Sequence, residues 1–295
     1  MKIFITGSRG QLGTDALEVL GAHHDVTGMD LPELDIADSQ SAHGRLGAFA
    51  PDVIVNCAAY TKVDAAETER DAARRANVEG PRVLAAFAAR SGGRLIHVST
   101  DYVFDGLRPP PQPYVETDAT RPACYYGVTK LEGERAALES GARVAILRTA
   151  WMYGRQGSNF LKTMLRLATA DPRRVIRVVN DQFGSPTWSH RLAQQIDRVI
   201  DRGGEGVYHA TAEGCCTWYD LARLFLQLMG VEHGIEPCAT AEYPTPARRP
   251  ANSILENSRL KAAGMNVMAA WDEDVREFVR RHRDRLLEEA TRARA

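Results

Sequence analysis

Residues 2–13 read KIFITGSRGQLG, a short apolar run followed at once by three glycines in the spacing G-x-x-G-x-x-G. Glycines allow a tight turn and let backbone N–H groups approach a pyrophosphate, which then lies at the positive end of the next helix. The same pattern also occurs in strand-to-helix turns that hold no ligand. Its place at the start of a β-α-β unit favours a dinucleotide site, and the candidate cofactor residues are Gly7, Arg9, Gly10, Gln11, Leu12 and Gly13.

Apolar runs of strand length alternate with helical segments over the first 150 residues. This alternation is typical of a parallel sheet covered by helices. We therefore predict an α/β fold, a doubly wound parallel (Rossmann) sheet with a smaller, interleaved C-terminal domain. The predicted strands are 2–6, 25–29, 52–56, 94–99, 143–148, 175–179 and 206–209, and the predicted helices lie within 15–20, 65–90, 130–140, 191–202, 219–229 and 272–289.

The looser pattern after Trp151 indicates a second region of the chain. We predict a dinucleotide-binding domain from residues 1–150 and about 175–212, and a substrate domain from 151–174 and about 213–295. The prolines at 109–111 and 113 cannot lie inside a helix or a central strand, so they predict a surface loop. This loop lies between two candidate catalytic segments, where a lid would be useful.

Composition and charge exclude several classes of protein. The chain has 295 residues, 44% of them hydrophobic, which is enough to bury a full core. It has 37 basic and 38 acidic residues and a formal net charge of −1, so no basic field indicates nucleic-acid binding. Five cysteines without C-x-x-C spacing, and no apolar run of the roughly 18 residues that a membrane span needs, predict a cytoplasmic protein with free thiols and no membrane partner.

Two side chains near the glycine turn give opposite indications about the cofactor. Asp30 ends the second strand about 20 residues after the glycines, where a carboxylate accepts from adenosine ribose hydroxyls and favours an unphosphorylated cofactor. Arg9 can instead pair with a 2′-phosphate, because a guanidinium matches phosphate oxygens in a fork. Asp35 and Ile36 are candidates for contact with adenine, although Asp35 can equally cap the next turn. NADPH and NADH therefore both stay open.

Residues 126–130, YGVTK, place a phenol and an ammonium one helical turn apart. A cation within about 4–6 Å stabilises a phenolate and lowers the pKa of the phenol. Tyr126 tuned in this way can protonate the alkoxide that forms as hydride reaches a carbonyl carbon, and Lys130 can hold a nicotinamide ribose. Tyr-x-x-x-Lys is common by chance, and Tyr125 is a neighbouring alternative.

Residues 99–106, STDYVFDG, begin at the carboxyl end of a predicted strand, the edge at which open α/β sheets bind ligands. A hydroxyl there can hydrogen-bond a substrate oxygen and fix its position against Tyr126. A Ser or Thr that merely ends a strand needs no chemistry. The glycine turn, the hydroxyl after a later strand and the Tyr/Lys helix occur together and in this order, and jointly they are a stronger indication than any one alone.

These segments resemble the extended short-chain dehydrogenases/reductases, and within them the dTDP-4-dehydrorhamnose reductase family. The resemblance covers most of the chain. It implies NADPH- or NADH-dependent reduction of the 4-keto group of a nucleotide-linked 6-deoxyhexulose, dTDP-4-dehydrorhamnose to dTDP-L-rhamnose. The further matching segments are NCAAYT (56–61) with VD at 63–64 and Glu67, LRTAWMYG (147–154), NF (159–160), DQFGSPT (181–187) and RPANS (249–253).

The resemblance also implies roles for individual residues. Thr100, Tyr126 and Lys130 would form the catalytic triad, with Tyr126 as the proton donor. Besides the glycine turn and Asp30, the cofactor would contact Ala58, Ala59, Tyr60, Thr61, Tyr126 and Lys130. The sugar nucleotide would contact Val63, Thr100, Tyr102, Trp151, Asn159 and Arg249.

Trp151 and Arg249 also carry a weaker indication of their own. An aromatic ring just past the end of a strand can cover a sugar or a base, and burial in the core is an equal alternative for Trp151. Arg248 and Arg249 can bind a diphosphate through their forked guanidinium groups, or they can form a solvated surface pair.

Three other functions share parts of this pattern. Sugar-nucleotide dehydratases, by resemblance, follow the threonine with Asp-Glu, whereas Thr100 is followed by Asp101 and Tyr102, so the pair that eliminates water is missing. A sugar-nucleotide 4-epimerase keeps the same Tyr and Lys and stays open. A noncatalytic regulatory subunit resembling the methionine adenosyltransferase beta subunit also stays open, and the reductase ranks well ahead of both.

No metal site is predicted from the residues. The dipeptides 23–24 (HH) and 215–216 (CC) have no partners at ligand spacing, and we interpret them as a surface turn and buried thiols. The family associates a magnesium ion with acidic side chains at a dimer contact, and Asp15 matches one such position. The resemblance therefore leaves that ion and a homodimer open. Residues 272–294 carry both charge signs and predict a solvated amphipathic helix.

Overall fold

The computed structural model describes residues 1–171, 173–231 and 234–292. In the first half, strands alternate with helices as predicted. The strands are β1 (Lys2–Thr6), β2 (Asp25–Met29), β3 (Val53–Asn56), β4 (Arg94–Thr100) and β5 (Arg143–Thr149), and the helices are α1 (Gln11–Gly21), α2 (Ser39–Phe49), α3 (Arg70–Arg74), α4 (Gly80–Ser91) and α5 (Tyr125–Leu138). A π-helical turn at Arg75–Glu79 joins α3 to α4, and 3-10 turns lie at Ala65–Glu67 and Asp101–Val103.

The second half has shorter strands. They are β6 (Met152–Tyr153), β7 (Ile176–Val179), β8 (Phe183–Gly184), β9 (Thr187–Trp188), β10 (Gly206–His209), β11 (Cys216–Thr217), β12 (Ile235–Cys238) and β13 (Asn252–Ser253). The helices are α6 (Phe160–Ala170), α7 (Ser189–Asp201), α8 (Trp218–Met229), α9 (Ser258–Ala262) and α10 (Trp271–Arg292), with a 3-10 turn at Thr240–Glu242.

Six strands form the central sheet in the order β10-β5-β4-β3-β1-β2, and every neighbouring pair is parallel. The strand order reverses between β1 and β3, because the chain adds β2 on one side of β1 and then β3 on the other. Ligands of open α/β sheets bind at the carboxyl ends of the strands beside such a reversal. The predicted doubly wound fold is confirmed, and it places the glycine turn after β1 at this point.

Side chains of the sheet alternate between its two faces, and helices cover both. In β1, Ile3 and Ile5 pack with residues of α1 and α7, whereas Phe4 packs with residues of α2 and α4. A strand that is buried on both faces needs apolar side chains at successive positions. This explains why the strands of the central sheet are continuous apolar runs in the sequence.

A second core forms from the residues after Trp151. It contains the buried rings of Trp188, Phe225 and Phe278. Three small sheets surround it, pairing β7 with β12, β8 with β11 and β13, and β6 with β9. Helix α10 packs on α6 and α8. The second core therefore gathers the loosely patterned segments into one body beside the central sheet.

The domain boundaries stay a prediction. The structure shows which elements near them pack with the central sheet and which do not. Within 175–212, β10 pairs with β5 and α7 packs on α1, so both belong with the central sheet. Strand β7 lies in the same stretch but pairs with β12. The predicted substrate segments include residues 172, 232–233 and 293–295, which lie outside the described residues.

Helix α2 was not predicted from the sequence. Its interior carries Gly44 and Gly47, and it buries only Ala42 and Leu46, so its apolar stripe is too short to stand out. Its start nevertheless has a local signal, because the Asp38 carboxylate accepts hydrogen bonds from two N–H groups of the first turn. Helix α6 was also missed.

The proline-rich loop at 109–113 lies on the surface, as predicted. Asn252 holds it by donating to the carbonyl oxygens of Arg108 and Gln112 at 3.0 and 2.8 Å. No residue of this loop lines the cavity described below, so the structure does not support a lid there.

Helix α10 is the predicted amphipathic helix at the end of the chain. It buries Val275, Phe278 and Val279 in the second core and carries charges of both signs elsewhere. The last two residues of the predicted segment, 293–294, lie outside the described residues. Across the described ranges, no helix combines the length and the apolar character that crossing a bilayer requires.

Candidate active site

A cavity of about 810 Å³ opens at the carboxyl ends of β1 to β5. Most of the predicted site residues line it. They are Gly7, Gly10, Gln11, Leu12, Gly13, Asp30, Asp35, Ile36, Ala58, Ala59, Tyr60, Thr61, Val63, Thr100, Tyr102, Tyr126, Lys130 and Trp151. Arg9, Asn159 and Arg249 are the three predicted residues outside the lining.

The glycine turn is too tight for side chains. Gly7 has a φ of +66°, and a Cβ atom there would lie 2.6 Å from the Ala58 nitrogen. A Cβ atom on Gly13 would lie 2.1 Å from the Gly7 carbonyl oxygen. Gly10 is the N-cap of α1 and has no side chain to occupy the N–H groups of the first turn. This cradle fits the diphosphate of a dinucleotide.

Asp30 and Arg9 have different surroundings, although both were candidates for the adenosine ribose. The Asp30 carboxylate lines the cavity and accepts hydrogen bonds from the N–H groups of Arg9 and Leu31 at 3.1 and 2.8 Å. The Arg9 guanidinium points away, donating to the Leu31 carbonyl oxygen and pairing with Glu33 at 2.5 Å. It lines a separate, smaller pocket. The structure therefore does not bring the Arg9 side chain to the predicted cofactor site.

Asp35 and Ile36 line the cavity beside Arg75, which was not selected from the sequence. Arg75 Nη2 donates to Asp35 Oδ2 at 2.7 Å, and Asp35 Oδ1 accepts from the Ala37 N–H at 2.9 Å. Burial raises the pKa of Asp35, but the hydrogen bonds from Arg75 and Ala37 outweigh it and lower the pKa overall. Asp35 therefore lines the cavity and also caps its own turn, and its predicted contact with adenine stays a prediction.

Helix α5 presents Tyr126 and Lys130 to the cavity from one face. Their exposed fractions are 9% and 2%. The neighbouring Tyr125 is not part of the lining, and its ring instead lies 4.8 Å from the Arg70 guanidinium. A Cβ atom on Gly127 would lie 2.2 Å from the Tyr102 carbonyl oxygen, so this glycine allows α5 to approach the segment after β4. Of the two tyrosines, Tyr126 is therefore the one at the cavity.

The pKa of Tyr126 is raised, not lowered as its spacing from Lys130 predicted. Burial of the phenol is the largest cause, and the nearby Asp101 carboxylate raises the pKa further. A hydrogen bond with Thr100 acts in the opposite direction but does not outweigh them. A phenol with a raised pKa stays protonated at neutral pH, which is the form that can donate a proton.

Lys130 is buried below the cavity surface and donates from Nζ to the Val98 carbonyl oxygen at 2.7 Å. Burial lowers the pKa of Lys130 to about 8, although the Glu134 carboxylate one turn further along α5 raises it. Glu134 is itself held by a buried, two-point contact with Arg148 at 2.9 and 2.7 Å. Lys130 is therefore mostly charged at neutral pH and titrates just above it.

Thr100 ends β4 and presents its hydroxyl to the cavity. Its Oγ1 accepts from the Tyr102 N–H at 3.2 Å and donates to Asp101 Oδ1 at 3.0 Å. Burial raises the pKa of Asp101 to about 6, although the hydroxyls of Ser253 and Thr100 oppose this. Asp101 also lines the cavity, although it was not among the predicted site residues, since the residues after Thr100 bear in sequence only on dehydratase chemistry.

Asn77 was also missed, because nothing in its local sequence distinguishes it from other residues of a helical segment. It lies in the π-helical turn and is buried. Its side-chain amide accepts from the Tyr60 N–H at 2.9 Å and donates to the Tyr60 carbonyl oxygen and to Thr129 Oγ1, at 3.1 and 3.0 Å. Asn77 therefore ties the segment after β3 to the helix that carries Tyr126 and Lys130.

Trp151 is held in place by two elements of the second core. Its ring stacks on Trp218 with 3.5 Å between centroids and 10° between planes. On Gly184, a Cβ atom would lie 2.4 Å from the Trp151 ring. Trp151 also has a φ of +47°, a left-handed conformation that costs free energy for a residue with a side chain. The packing therefore fixes this ring at the cavity, where Trp151 also packs against the second core.

Asn159 contacts a lining residue, and Arg249 contacts the neighbour of one. Asn159 caps α6 and donates to Gln11 Oε1 at 3.0 Å. Arg249 pairs with Asp64 at 2.6 Å, and Asp64 follows the lining residue Val63. Direct contact of Asn159 and Arg249 with the sugar nucleotide stays a prediction.

His23 and His24 lie in a turn, as interpreted, and His23 is exposed. His24 also has carboxylate neighbours that its local sequence does not show. Its side chain is 9% exposed, and its Nε2 lies 2.9 Å from Asp197 Oδ1 on α7. One ligand atom each from His24, Asp197 and Asp201 lies within 4.8 Å of the others. The sequence could not show this group, because the turn that carries His24 and helix α7 are distant along the chain.

Asp15, the residue that matched a magnesium position by resemblance, is buried on α1. Ser189 donates to one of its oxygens, and the Arg155 guanidinium lies 3.2 Å from the other. Burial of Asp15 raises its pKa, and these two contacts oppose the shift. Arg155 therefore places one positive charge beside Asp15.

Comparisons with known proteins agree with one another. The family model described as RmlD substrate binding domain matches residues 1–283. A dTDP-4-dehydrorhamnose reductase of Aggregatibacter actinomycetemcomitans is 41% identical over 276 residues, which cover 89% of this chain and 92% of that protein. The crystal structure of a dTDP-4-dehydrorhamnose reductase from Clostridium acetobutylicum superposes with a TM-score of 0.91 at 39% identity and covers 95% of this chain and 98% of that one. The structure of dTDP-4-dehydrorhamnose reductase from Bacillus anthracis in complex with NADP gives a TM-score of 0.90 at 37% identity, with 94% and 98% covered.

Proposed function

This chain belongs to the RmlD substrate binding domain family, and on that premise we propose that it reduces dTDP-4-dehydrorhamnose to dTDP-L-rhamnose. It is an NAD(P)H-dependent oxidoreductase acting on the 4-keto group of a dTDP-linked sugar. One observation supports the proposed reduction of dTDP-4-dehydrorhamnose most strongly: a single cavity joins the glycine cradle to Thr100, Tyr126 and Lys130.

In the proposed reaction, Tyr126 is the acid. When bound, the dihydronicotinamide supplies the hydride that reduces the sugar at C4. Tyr126 donates its phenolic proton to the 4-keto oxygen as negative charge develops there. The phenol is protonated at neutral pH, and because its raised pKa makes it a weaker acid, the phenolate that it leaves needs a stabilising cation. Thr100 turns its hydroxyl away from Asp101 Oδ1, to which it donates in this structure, and donates instead to the same keto oxygen, which holds that oxygen against the phenol.

Lys130 supports this proton transfer electrostatically. Once Tyr126 has lost its proton, it is a phenolate in a buried site, which is costly unless a cation lies nearby. The Lys130 ammonium is one helical turn away and lowers that cost. Its buried position and its hydrogen bond to the Val98 carbonyl oxygen restrict its motion.

The sugar nucleotide lies between the two cores in this proposal. Val63 and Tyr102 line the cavity from the central-sheet side, and Trp151 lines it from the segment that leads into the second core. The Trp151 ring is fixed by stacking and therefore offers a rigid surface to a sugar or a base. We also propose that the enzyme acts in the cytoplasm, which its five free cysteines support. A homodimer stays a prediction from the resemblance.

The direct test mixes purified protein, NADPH and dTDP-4-keto-6-deoxyhexose under anaerobic conditions. We expect NADPH absorbance to fall in proportion to the sugar consumed, with dTDP-L-rhamnose as the product. A cofactor that stays bound with no net oxidation would instead indicate a 4-epimerase. Co-purification with a synthetase and no turnover of any keto sugar would indicate a regulatory subunit.

The rate should depend on pH through Lys130. We expect kcat/KM to fall as pH rises through about 8, because Lys130 is a charged ammonium below that pH and a neutral amine above it. The measurement is a pH profile of kcat/KM, with thermal unfolding recorded at each pH as a control for stability. In Lys130→Arg the decline should move to higher pH, since a guanidinium keeps its charge. A wild-type profile that stays level well beyond this pH would contradict the role.

Removing the ring that stacks on Trp151 should weaken substrate binding. An aromatic pair contributes about 0.5–1.5 kcal/mol beyond simple burial, so we expect Trp218→Leu to raise the KM for the sugar nucleotide by roughly two- to tenfold. Cofactor affinity should not change. Trp271→Leu, which removes an indole outside this stack, is the matched control. An unchanged KM in Trp218→Leu would show that Trp151 needs no such support.

A further inference from the structure

The two ends of the cavity differ in their charged side chains. Among the described residues of its lining, two are cationic, Lys130 and Arg75. Lys130 is buried beside Tyr126 at the catalytic end. Arg75 lies beside Asp35, and 56% of its side chain is exposed. Arg75 is therefore a cation that an incoming group at this end of the cavity could reach.

The neighbours of Arg75 identify this end of the cavity. Asp35 and Ile36 follow β2, and Asp30 is the first residue after that strand. In a fold of this type, the residue that ends the second strand faces the adenosine ribose of a dinucleotide. The exposed Leu31 lines the same region. Arg75 therefore lies where the adenosine half would be held.

The local backbone brings Arg75 to this position. Arg75 begins the π-helical turn between α3 and α4, and π-turns within helices are frequent at functional sites. The preceding residue, Arg74, pairs with Glu132 on α5 and does not line the cavity. Two adjacent arginines therefore have different surroundings, and one of them faces the cavity.

We propose that Arg75 recognises the 2′-phosphate of NADPH and lets the enzyme use this cofactor as well as NADH. The inference rests on the proposed function in one respect, that the cavity holds a nicotinamide dinucleotide. A guanidinium binds phosphate oxygens through two parallel N–H donors. Arg9, the residue that the sequence suggested for this task, does not line the cavity, and its guanidinium lies in a separate, smaller pocket with Glu33.

The ion pair between Arg75 and Asp35 does not prevent this. Both side chains are substantially exposed, and exposed pairs are weak because solvent screens them. A phosphate dianion can therefore compete with the Asp35 carboxylate for the same guanidinium. The carboxylates of Asp30 and Asp35 repel that phosphate, so the structure also explains why NADH, which lacks it, would not be excluded.

The test compares two adenosine ligands that differ at the ribose. Adenosine 2′,5′-bisphosphate and adenosine 5′-monophosphate are titrated into the full-length protein by calorimetry. If the contact is charge-assisted and forked, Arg75→Ala should lower the affinity for adenosine 2′,5′-bisphosphate by roughly tenfold or more. The affinity for adenosine 5′-monophosphate should fall by less than about twofold. Arg74→Ala and Arg9→Ala, which each remove one nearby positive charge, should change neither ligand selectively.

A second variant tests the same contact from its other partner. In Asp35→Asn, the amide oxygen can still accept from the Ala37 N–H, but the charge that competes for Arg75 is gone. We expect tighter binding of adenosine 2′,5′-bisphosphate, by roughly threefold, with little change for adenosine 5′-monophosphate. This variant keeps the test valid should Arg75→Ala fold poorly.

Three results would overturn the assignment. Equal weakening of both ligands in Arg75→Ala would place the guanidinium on the adenine or the 5′-phosphate. Selective loss in Arg9→Ala would return the role to Arg9. Unchanged selectivity in both Arg75→Ala and Asp35→Asn would leave no role at this position. Because these titrations use no sugar, they test the role of Arg75 even if the protein does not reduce the proposed sugar. Conversely, the protein can reduce that sugar even if Arg75 does not bind the 2′-phosphate.

Discussion

Replacing Tyr126 with phenylalanine should lower kcat for reduction of the keto sugar by about 10²-fold or more, the effect expected for losing a positioned general acid. The ring itself would be retained. Phenylalanine keeps the edge-to-face contact with Tyr102, whose ring centroid lies 5.5 Å from that of Tyr126. The binding of NADPH, followed by fluorescence titration, should therefore change little. The measurement is the single-turnover rate at saturating cofactor.

The matched control is the neighbouring tyrosine. Tyr125 precedes Tyr126 in the same helix, but its ring contacts Arg70 outside the cavity. Tyr125→Phe should therefore retain nearly full activity. A fully active Tyr126→Phe variant would reject Tyr126 as the proton donor, and equal losses in both variants would point to a structural effect on α5.

Replacing Lys130 with alanine should impair two separate steps. The phenolate that forms on Tyr126 would lose its cation, so we expect kcat to fall by roughly 10²-fold. By the resemblance Lys130 also holds the nicotinamide ribose, and losing a hydrogen bond from a charged donor should weaken NADPH binding by roughly tenfold. Stopped-flow rates and a fluorescence titration measure the two effects separately.

The buried position of Lys130 makes a stability control necessary. Alanine leaves a gap beside the pair formed by Glu134 and Arg148, so thermal unfolding of the variant must be compared with that of the wild type. A folded Lys130→Ala variant with an unchanged nicotinamide titration would reject the ribose role. A folded variant with an unchanged rate would reject the electrostatic role.

The sequence predicted those features of the fold that depend on local patterns. The central-sheet strands and most of the long helices follow from apolar periodicity, and the glycine turn follows from backbone sterics at Gly7 and Gly13. Helix α2 escaped prediction because its apolar stripe is short, even though Asp38 caps it. Local signals therefore located the strands that carry the site better than they located the peripheral helices.

The features that could not be predicted depend on contacts between distant segments. Asn77 bonds to Tyr60 and Thr129, and the partner of Trp151 is Trp218. Neither pairing leaves a signal in one sequence, because the chain must first fold to bring the partners together.

Charge environments were the least predictable feature of the site. The spacing of Tyr126 and Lys130 correctly places both at the cavity, but it predicted a lowered phenol pKa, whereas burial and Asp101 raise it. Arg9 lies within the glycine turn by sequence and yet directs its side chain to Glu33. The sequence gives the spacing of these residues along the chain. It does not give the burial of the Tyr126 phenol or the direction of the Arg9 side chain.

The most direct test of the central claim uses NADPH carrying deuterium at the transferred position of its nicotinamide ring. The claim is that hydride reaches C4 of the dTDP-linked sugar while Tyr126 supplies the proton to the oxygen on that carbon. We predict one deuterium at C4 of the product, located by NMR, and almost no labelled product from Tyr126→Phe in the same time. Label at another carbon, an unlabelled product sugar, or equal labelling by Tyr126→Phe would contradict the account.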